Sequence, residues 1–211
     1  MPKHMTRGTP TVFIVDDDEA VRDSLGALIE SAGLAAESFA SGTAFLEGVP
    51  PGQSGCVLLD VQMPDLGGLE IQERLAASHA SLRVIIVTGH GDVPLAVKAM
   101  KQGAFDFIEK PFDDDVLLDC VRRALAETGR NQNSDGAAGG LDRFGQLTPR
   151  ERDVLHQLLI GNPNKVIAYE LGISPRTVEV HRARVMEKMQ ARNLSHLVRM
   201  AMAAGLDPER Q

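Results

Sequence analysis

The sequence predicts an α/β domain followed by a small all-α domain, with a flexible segment between them. The first observation is an alternation of short apolar runs with helical patterns over residues 10–127. The second is a stretch over 128–145 that lacks apolar periodicity and is rich in Gly, Asn and Ser. The third is a series of short capped helical patterns over 146–206. With 211 residues, 43% of them apolar, the chain is long enough to build two cores.

The α/β part contains five β/α units, which predict a doubly wound sheet of five parallel strands. Nearly continuous apolar runs at the third and fourth strands, CVLL and RVIIV, are typical of strands covered on both faces. Strands are predicted at 11–15, 35–39, 56–59, 83–87 and 105–108, and helices near 19–32, 42–48, 67–78, 93–103 and 113–127.

The C-terminal part reads as three or four short helices. Thr148 is the predicted N-cap of the first, with Pro149 at its first position and Glu151 completing a capping box. Ser174 and Pro175 repeat this cap-then-proline start for a longer helix. The region is therefore expected to be helical throughout.

Charge is distributed unevenly along the chain. Residues 1–127 carry 10 Lys and Arg against 20 Asp and Glu, whereas residues 128–211 carry 12 against 9. Only the second part therefore suits a polyanion such as nucleic acid.

Neither a signal peptide nor a membrane span is expected. The first apolar run, 12–15, is short and is followed at once by acids, and no run approaches the ~18 apolar residues that a span needs. The sequence therefore predicts a cytoplasmic protein with no membrane partner. Cys56 and Cys120 share no CxxC spacing and lie among apolar residues, so we expect inert core thiols.

Four predicted strands end in groups that suit phosphate chemistry. Aspartates 16–18 follow strand 1, Asp60 follows strand 3, Thr88 follows strand 4 and Lys110 follows strand 5. Ligands of such sheets bind at the carboxyl ends of the strands, so these groups are expected to share one cleft. Gathered carboxylates need a compensating cation, for which Mg²⁺ is the natural choice.

This pattern predicts a phosphoryl-transfer site. Asp60 would attack phosphorus, Mg²⁺ and Lys110 would neutralise phosphoryl oxygens, and Thr88 would donate a hydrogen bond. For any single aspartate, a helix cap or turn is the alternative. Asp18 in particular is the predicted N-cap of the first helix, which divides the three consecutive aspartates into two with a chemical role and one with a structural role.

The segments VDDDEAVRDSL, CVLLDVQMPDLGGLE and VTGHGDVPLAVKAMKQGAFDFIEKPF together resemble the receiver domain of bacterial two-component response regulators, which has the CheY-like fold. The resemblance covers about residues 10–127. It implies a phosphoacceptor, three direct Mg²⁺ ligands with one further residue acting through water, and two groups that contact the phosphoryl oxygens. The phosphoacceptor is Asp60; the Mg²⁺ ligands are Asp17, Asp60, Gln62 through its backbone carbonyl, and Asp16 through water; the contacting groups are Thr88 and Lys110.

The same resemblance implies a conformational switch and a cis Lys110–Pro111 bond. Thr88 would move toward the phosphoryl group and Phe107 would swing inward behind it, although plain packing remains the alternative for Phe107. The face of helix 4 and strand 5, about 95–110, would then serve for dimerisation.

A capped helix, a tight turn and a helix that opens with SPRTVEVHRARV form the pattern of a helix-turn-helix, whose second helix enters the DNA major groove. Between 176 and 192 there are five Lys and Arg against two Glu, a surplus that suits phosphate contact. A solvated basic helix in an ordinary bundle is the alternative. The residues predicted nearest the groove are Arg176, Thr177, Glu179, Val180, Arg182 and Ala183.

The segments LTPRERDVL, NKVIAYELGIS and RTVEVHRARVMEKM resemble the LuxR-type helix-turn-helix over about residues 145–205. A receiver joined to this module is identified as a member of the NarL/FixJ family, and the sequences of both halves are most similar to its FixJ branch. The resemblance implies a set of DNA contacts. Lys165 and Lys188 would contact phosphates, and Thr177, Glu179, Val180 and Arg182 would contact bases or backbone. His181 would either donate to a phosphate or be a packed or surface histidine.

The implied function is phosphorylation-activated regulation of transcription, without enzyme activity. A sensor histidine kinase would phosphorylate Asp60, the chain would dimerise, and the C-terminal domain would bind double-stranded promoter DNA; RNA polymerase is left open as a further partner. Two alternatives remain. One is a Mg²⁺-dependent phosphohydrolase, which typically carries an acidic Asp where Gln62 stands; the other is a DNA-binding adaptor that acts without phosphorylation.

Overall fold

Five parallel strands form a sheet in the first part of the chain. The computed structural model describes residues 10–50, 52–78, 82–89, 92–127 and 140–206. The strands are β1 (Thr11–Val15), β2 (Ala35–Phe39), β3 (Gly55–Leu59), β4 (Leu82–Thr88) and β5 (Asp106–Glu109). Their order is β2-β1-β3-β4-β5 and every pairing is parallel, so the predicted doubly wound sheet is confirmed.

A helix follows each strand, at the predicted position to within two residues. These helices are α1 (Glu19–Ser31), α2 (Gly42–Gly48), α3 (Gly68–Ser78), α4 (Val93–Lys101) and α5 (Asp114–Ala126).

The central strands are covered on both faces, as their apolar runs predict. Val12 and Ile14 of β1 belong to a buried cluster that includes Leu117 of α5. The intervening Phe13 faces the other way, with its ring centroid 5.8 Å from that of Phe45 in α2. β3 and β4 are buried along their whole length.

The second strand gave the weakest sequence signal because it lies at the edge of the sheet. β2 pairs with β1 on one side, and its AAESF sequence is exposed or half-buried at every position. An edge strand is under less demand to be apolar, which explains the weak pattern.

The C-terminal part is helical, as predicted. Its helices are α6 (Gly140–Gly145), α7 (Pro149–Ile160), α8 (Asn164–Leu171), α9 (Pro175–Met189) and α10 (Leu194–Ala203). α6 falls within the predicted flexible segment, so that prediction is wrong for 140–145; residues 128–139 lie outside the described residues. Phe144 and Leu147 are both buried, and these two apolar side chains are too few to give a periodic pattern.

The caps of these helices follow the sequence closely. The Thr148 side chain accepts from the Glu151 N–H while the Glu151 carboxylate accepts from the Thr148 N–H, which completes the capping box. Ser174 caps α9 by accepting from the Thr177 N–H at 3.1 Å. Gly161 ends α7 with φ of 94°, a conformation that favours glycine.

By its contacts the chain divides into two compact units. The first contains the sheet with α1, α2, α3 and α5, and the second contains α4 together with α6–α10. α4 was expected within the first unit, since it lies between β4 and β5 in sequence. Within the described ranges, no helix has the length and apolar character needed to cross a membrane.

Candidate functional site

Polar groups converge at the carboxyl edge of the sheet because four neighbouring parallel strands end there. Asp16 directly follows β1, Asp60 follows β3, Thr88 is the last residue of β4, and Lys110 follows β5. Asp16, Asp60 and Thr88 are all less than a tenth exposed. The fold therefore brings together groups that are up to 94 residues apart in sequence.

Lys110 is the cation that joins the two buried carboxylates. Its Nζ lies 2.7 Å from Asp16 Oδ2 and 3.5 Å from Asp60 Oδ1. Its backbone N–H donates to the Thr88 carbonyl at 2.8 Å, which ties the ends of β4 and β5 together. Because two buried carboxylates without a cation would be costly, the ammonium stabilises this edge.

The Asp60 carboxylate is held between a backbone donor and this ammonium. The Gln62 N–H donates to Oδ2 at 2.6 Å, and Lys110 lies on the side of Oδ1. The pKa of Asp60 is raised above its usual value, chiefly because burial penalises the charged form. The Gln62 hydrogen bond and the Lys110 charge lower this pKa, and the Asp16 charge adds to the rise. A carboxylate of raised basicity suits a nucleophile.

The three consecutive aspartates have different surroundings. Asp18 is the N-cap of α1, accepting from the Ala20 N–H at 2.9 Å, which confirms the capping prediction. Asp16 is buried, and its Oδ1 accepts from the Asp18 N–H at 2.9 Å while its Oδ2 contacts Lys110. Asp17 is exposed. The structure therefore brings Asp16 to Asp60, whereas Asp17 stands at the surface.

The donor atoms of this edge fit Mg²⁺. Asp16 and Asp60 both turn oxygens toward one cation, the Lys110 ammonium, so the edge accommodates positive charge. Among the described residues, no three His, Cys, Asp or Glu side chains lie close enough together to hold a metal ion. Mg²⁺ needs only one or two carboxylates and completes its shell with carbonyls and waters. The resemblance assigns these places to Asp17, Asp60 and the Gln62 carbonyl, and the structure shows the Asp60 carboxylate at this edge.

The predicted switch residues lie on β4 and β5. Thr88 is fully buried, and Phe107 is half-buried between the buried residues Asp106 and Ile108. The Lys110–Pro111 peptide bond is cis, as the resemblance implies.

The predicted helix-turn-helix is formed by α8 and α9. Arg182 of α9 is half-buried, and its guanidinium donates to Asn164 Oδ1 at the start of α8 at 2.7 Å. Val178, Val185 and Met189 are buried, as their helical spacing predicts. α9 therefore turns one face to the core of its domain, and Arg182 joins it to α8.

The other predicted DNA contacts differ in exposure. Lys165, Arg176, Glu179 and Val180 are exposed, and Thr177 is half-buried. Arg176 Nη1 lies 3.0 Å from Glu179 Oε2, so these two charges are paired at the surface.

His181 is half-buried, and its Nδ1 is buried without a hydrogen-bond partner in the described part of the chain. Of the two roles left open for this histidine, the packed one agrees better with that placement.

Lys188 has an internal partner that the sequence did not reveal. Its Nζ lies 2.7 Å from Glu151 Oε2, and the Glu151 side chain is 3% exposed. The same Nζ donates to the Gln146 carbonyl at 3.3 Å. This contact joins α9 to the capping box of α7, so the structure favours a packing role for Lys188 over contact with a phosphate.

Two further charged contacts were missed. Arg22 Nη1 donates to the carbonyls of both Asp16 and Asp17, and Arg123 pairs with the buried Asp106 at 3.2 Å. Helical spacing places Arg22 one turn after the acidic residues, which is the signal that points to the first contact; the second joins residues from different elements and has no local signal.

Two family models match the chain, in the predicted order. The response regulator receiver domain matches residues 12–122, and the luxR family of bacterial regulatory proteins matches residues 145–201. The chain therefore belongs to the response regulators that join a receiver domain to a LuxR-type DNA-binding domain.

Its relatives include regulators of the FixJ type. The transcriptional regulatory protein FixJ of Azorhizobium caulinodans is 52% identical over 200 residues, which cover 93% of this chain and 94% of the relative. FixJ of Rhizobium meliloti is 48% identical over 199 residues, covering 94% and 98%. The response regulator protein TodT of Pseudomonas putida is 40% identical over 199 residues, covering 94% and 88%.

Solved structures give the same result. Full-length FixJ from B. japonicum matches with a TM-score of 0.54 and 48% identity, covering 93% of this chain and 98% of that one. The response regulator StyR matches with a TM-score of 0.55 and 42% identity, covering 92% and 99%. The chain is thus a FixJ-like response regulator of transcription.

Proposed function

We propose that this chain is a phosphorylation-activated transcription regulator in which Asp60 accepts the phosphoryl group from a sensor histidine kinase. One observation carries the proposal: the buried Asp60 carboxylate lies between the Gln62 N–H and the Lys110 ammonium, at the edge where Thr88 also ends its strand. A nucleophile, a cation and a hydroxyl in one place are the parts that phosphoryl transfer requires.

In the proposed reaction an Asp60 oxygen attacks phosphorus as the phosphorus–nitrogen bond of the kinase phosphohistidine breaks. The electron pair of that bond leaves with the imidazole, and an acyl phosphate remains on Asp60. Lys110 neutralises the phosphoryl oxygens, and the Thr88 hydroxyl donates to one of them.

Asp17, Asp60 and the Gln62 carbonyl would hold Mg²⁺ directly, with Asp16 acting through water. When bound, the ion neutralises charge on the phosphoryl oxygens. The convergence of Asp16 and Asp60 on one ammonium supports a cation at this edge.

The proposed output is DNA binding by a dimer. Movement of Thr88 toward the acyl phosphate, followed by Phe107, would reshape the face of α4 and β5 for dimerisation. Joining two modest DNA-binding modules raises their effective affinity without any new DNA contact. The exposed α9 residues Arg176, Glu179 and Val180 support α9 as the helix that enters the major groove of promoter DNA.

The setting of this function follows from its partners. The proposed kinase donor and promoter DNA are consistent with a cytoplasmic regulator, and RNA polymerase is a further candidate partner on the bound promoter. The relatives named above are regulators rather than enzymes, which supports a role without turnover of a substrate.

The test is phosphorylation of purified full-length protein by acetyl phosphate with Mg²⁺, followed by intact-mass measurement. We expect one added phosphoryl group on the wild type and none on Asp60→Asn, with the same helix and strand content in both. Continued multiple turnover of a generic phosphate ester would support the phosphohydrolase instead. Equal DNA affinity of wild type and Asp60→Asn in the presence of acetyl phosphate would support the phosphorylation-independent adaptor.

A further inference from the structure

Arg22 of α1 contacts the backbone of the turn over residues 16–18, which carries the three consecutive aspartates. Its Nη1 donates to the carbonyl oxygens of Asp16 and Asp17, each at 2.9 Å. Arg22 is the fourth residue of α1 and is half-buried. One guanidinium nitrogen therefore holds two successive carbonyls of the turn that carries the acidic side chains.

These two hydrogen bonds fix the backbone on both sides of Asp17. The Asp16 carbonyl belongs to the peptide unit before Asp17, and the Asp17 carbonyl belongs to the unit after it. Each peptide unit is planar, so the orientations of the two planes determine φ and ψ of Asp17. They therefore determine the direction in which its side chain leaves the backbone.

The direction of the Asp17 side chain depends on the two Arg22 hydrogen bonds more than the directions of Asp16 and Asp18 do. The Asp16 carboxylate is buried and contacts both Lys110 and the Asp18 N–H, and the Asp18 carboxylate caps α1. The Asp17 side chain is exposed, so packing does not determine its direction. Its backbone, held by Arg22, is what positions it.

We propose that Arg22 is a positioning residue of the Mg²⁺ site, which presents Asp17 to the ion by holding the turn; this inference rests on the proposed function. A guanidinium also carries a positive charge, which by itself would oppose a nearby cation. Because Arg22 is only half-buried, solvent and salt partly screen that charge, whereas the hydrogen bonds act in direct contact. The geometric effect therefore prevails, and Arg22 favours Mg²⁺ binding.

Three substitutions separate the two effects. Arg22→Met removes charge and donors, Arg22→Gln removes the charge but keeps an N–H₂ donor, and Arg22→Lys keeps both. Arg74→Met is the matched control, because Arg74 is an exposed arginine on α3 that pairs with Glu70 at the surface.

The experiment is calorimetric titration of full-length protein with Mg²⁺ alone, with thermal unfolding recorded for each variant without Mg²⁺. We expect Arg22→Met to raise the Mg²⁺ dissociation constant about tenfold, Arg22→Gln to raise it less, and Arg22→Lys and Arg74→Met to leave it nearly unchanged. The Mg²⁺ concentration that half-saturates phosphorylation by acetyl phosphate should rise by the same factor, while the rate at saturating Mg²⁺ stays near that of the wild type.

An unchanged or lower dissociation constant in Arg22→Met and Arg22→Gln would overturn the proposal, since the charge would then prevail or the turn would need no support. If Arg22→Met fails to fold, the Gln and Lys variants decide the same question. A wild type that binds no Mg²⁺ would instead overturn the proposed function, and the role of Arg22 with it.

Discussion

At the carboxyl edge of the sheet, Lys110 is placed between two buried carboxylates and all three groups belong to the predicted chemistry. On the basic helices α8 and α9, by contrast, Lys188 is paired with the buried Glu151 and Arg182 donates to Asn164, so two cations predicted to contact DNA also have partners within their own domain. Burial decides between the two cases. A buried charge must have a partner, and the partner is either a reactive group or part of the scaffold.

The largest expected effect comes from removing Lys110, the cation of the acidic edge, which is the carboxyl edge of the sheet with Asp16 and Asp60. Lys110→Met should slow phosphorylation of Asp60 by about 100-fold, because a charge that stabilises the phosphoryl oxygens is lost. It should also tighten Mg²⁺ binding, since the ammonium no longer competes for Asp16 and Asp60. Quenched time courses of phosphorylation measure the first effect, and calorimetric titration with Mg²⁺ measures the second. A parallel loss of Mg²⁺ affinity would show that Lys110 supports the metal site rather than competing with the ion.

A second prediction sharpens the contrast at Lys188. Lys188→Met should lower the free energy of unfolding by about 2 kcal/mol, because it leaves the buried Glu151 carboxylate without its cation. The salt dependence of DNA binding should keep its slope, since no phosphate contact is removed. Lys165→Met is the matched variant. Because the Lys165 side chain is exposed, its loss should leave stability unchanged and reduce the slope of log affinity against log salt concentration by about one. Unchanged stability and a reduced slope in Lys188→Met would show that Lys188 contacts DNA phosphates.

A third prediction concerns the exposed pair on α9. Arg176 and Glu179 lie 3.0 Å apart at the surface, so Glu179 offsets the charge of a cation on the predicted DNA-binding face of α9. Glu179→Lys should raise affinity for non-specific DNA several-fold and steepen its salt dependence by about one phosphate contact. Glu187→Lys makes the same charge change elsewhere on α9. Equal gains from both variants, measured by fluorescence anisotropy, would mean that net charge rather than position is responsible.

A fourth prediction is a pH dependence of the stability of the C-terminal domain. The pKa of Glu151 is lowered from 4.5 to about 2, first by the Lys188 hydrogen bond and next by the Thr148 N–H. An acid with a depressed pKa stabilises the fold at pH above its unfolded value, and this contribution is lost as pH falls from about 4.5 toward 2. Glu151→Gln should flatten the dependence in urea unfolding over that range. A slope equal to that of wild type would exclude Glu151 as its source.

The acidic edge could be predicted from sequence because parallel strands bring their ends together whatever lies between them. Asp16, Asp60, Thr88 and Lys110 each follow or end a strand, so correct strands were enough. The capping role of Asp18 was likewise local. Where the edge depends on a side chain reaching back to the backbone, as Arg22 does, the apolar pattern carries no signal.

The basic helices were predicted less completely because exposure is a property of packing. The Glu151–Lys188 pair joins residues 37 apart, and no periodicity distinguishes Lys188 from the exposed Lys165. Helix α6 was missed because Phe144 and Leu147 give no repeat of their own. In both cases the tertiary fold supplies the partner.

The most direct test of the account is operator affinity with and without beryllofluoride, a non-covalent mimic of the phosphoryl group, in wild type and Asp60→Asn. The account predicts that beryllofluoride with Mg²⁺ raises the affinity of the wild type at least tenfold and leaves Asp60→Asn unchanged. An operator affinity that beryllofluoride leaves unchanged in the wild type, or raises equally in both proteins, would contradict the claim that the acidic edge controls DNA binding by the basic helices.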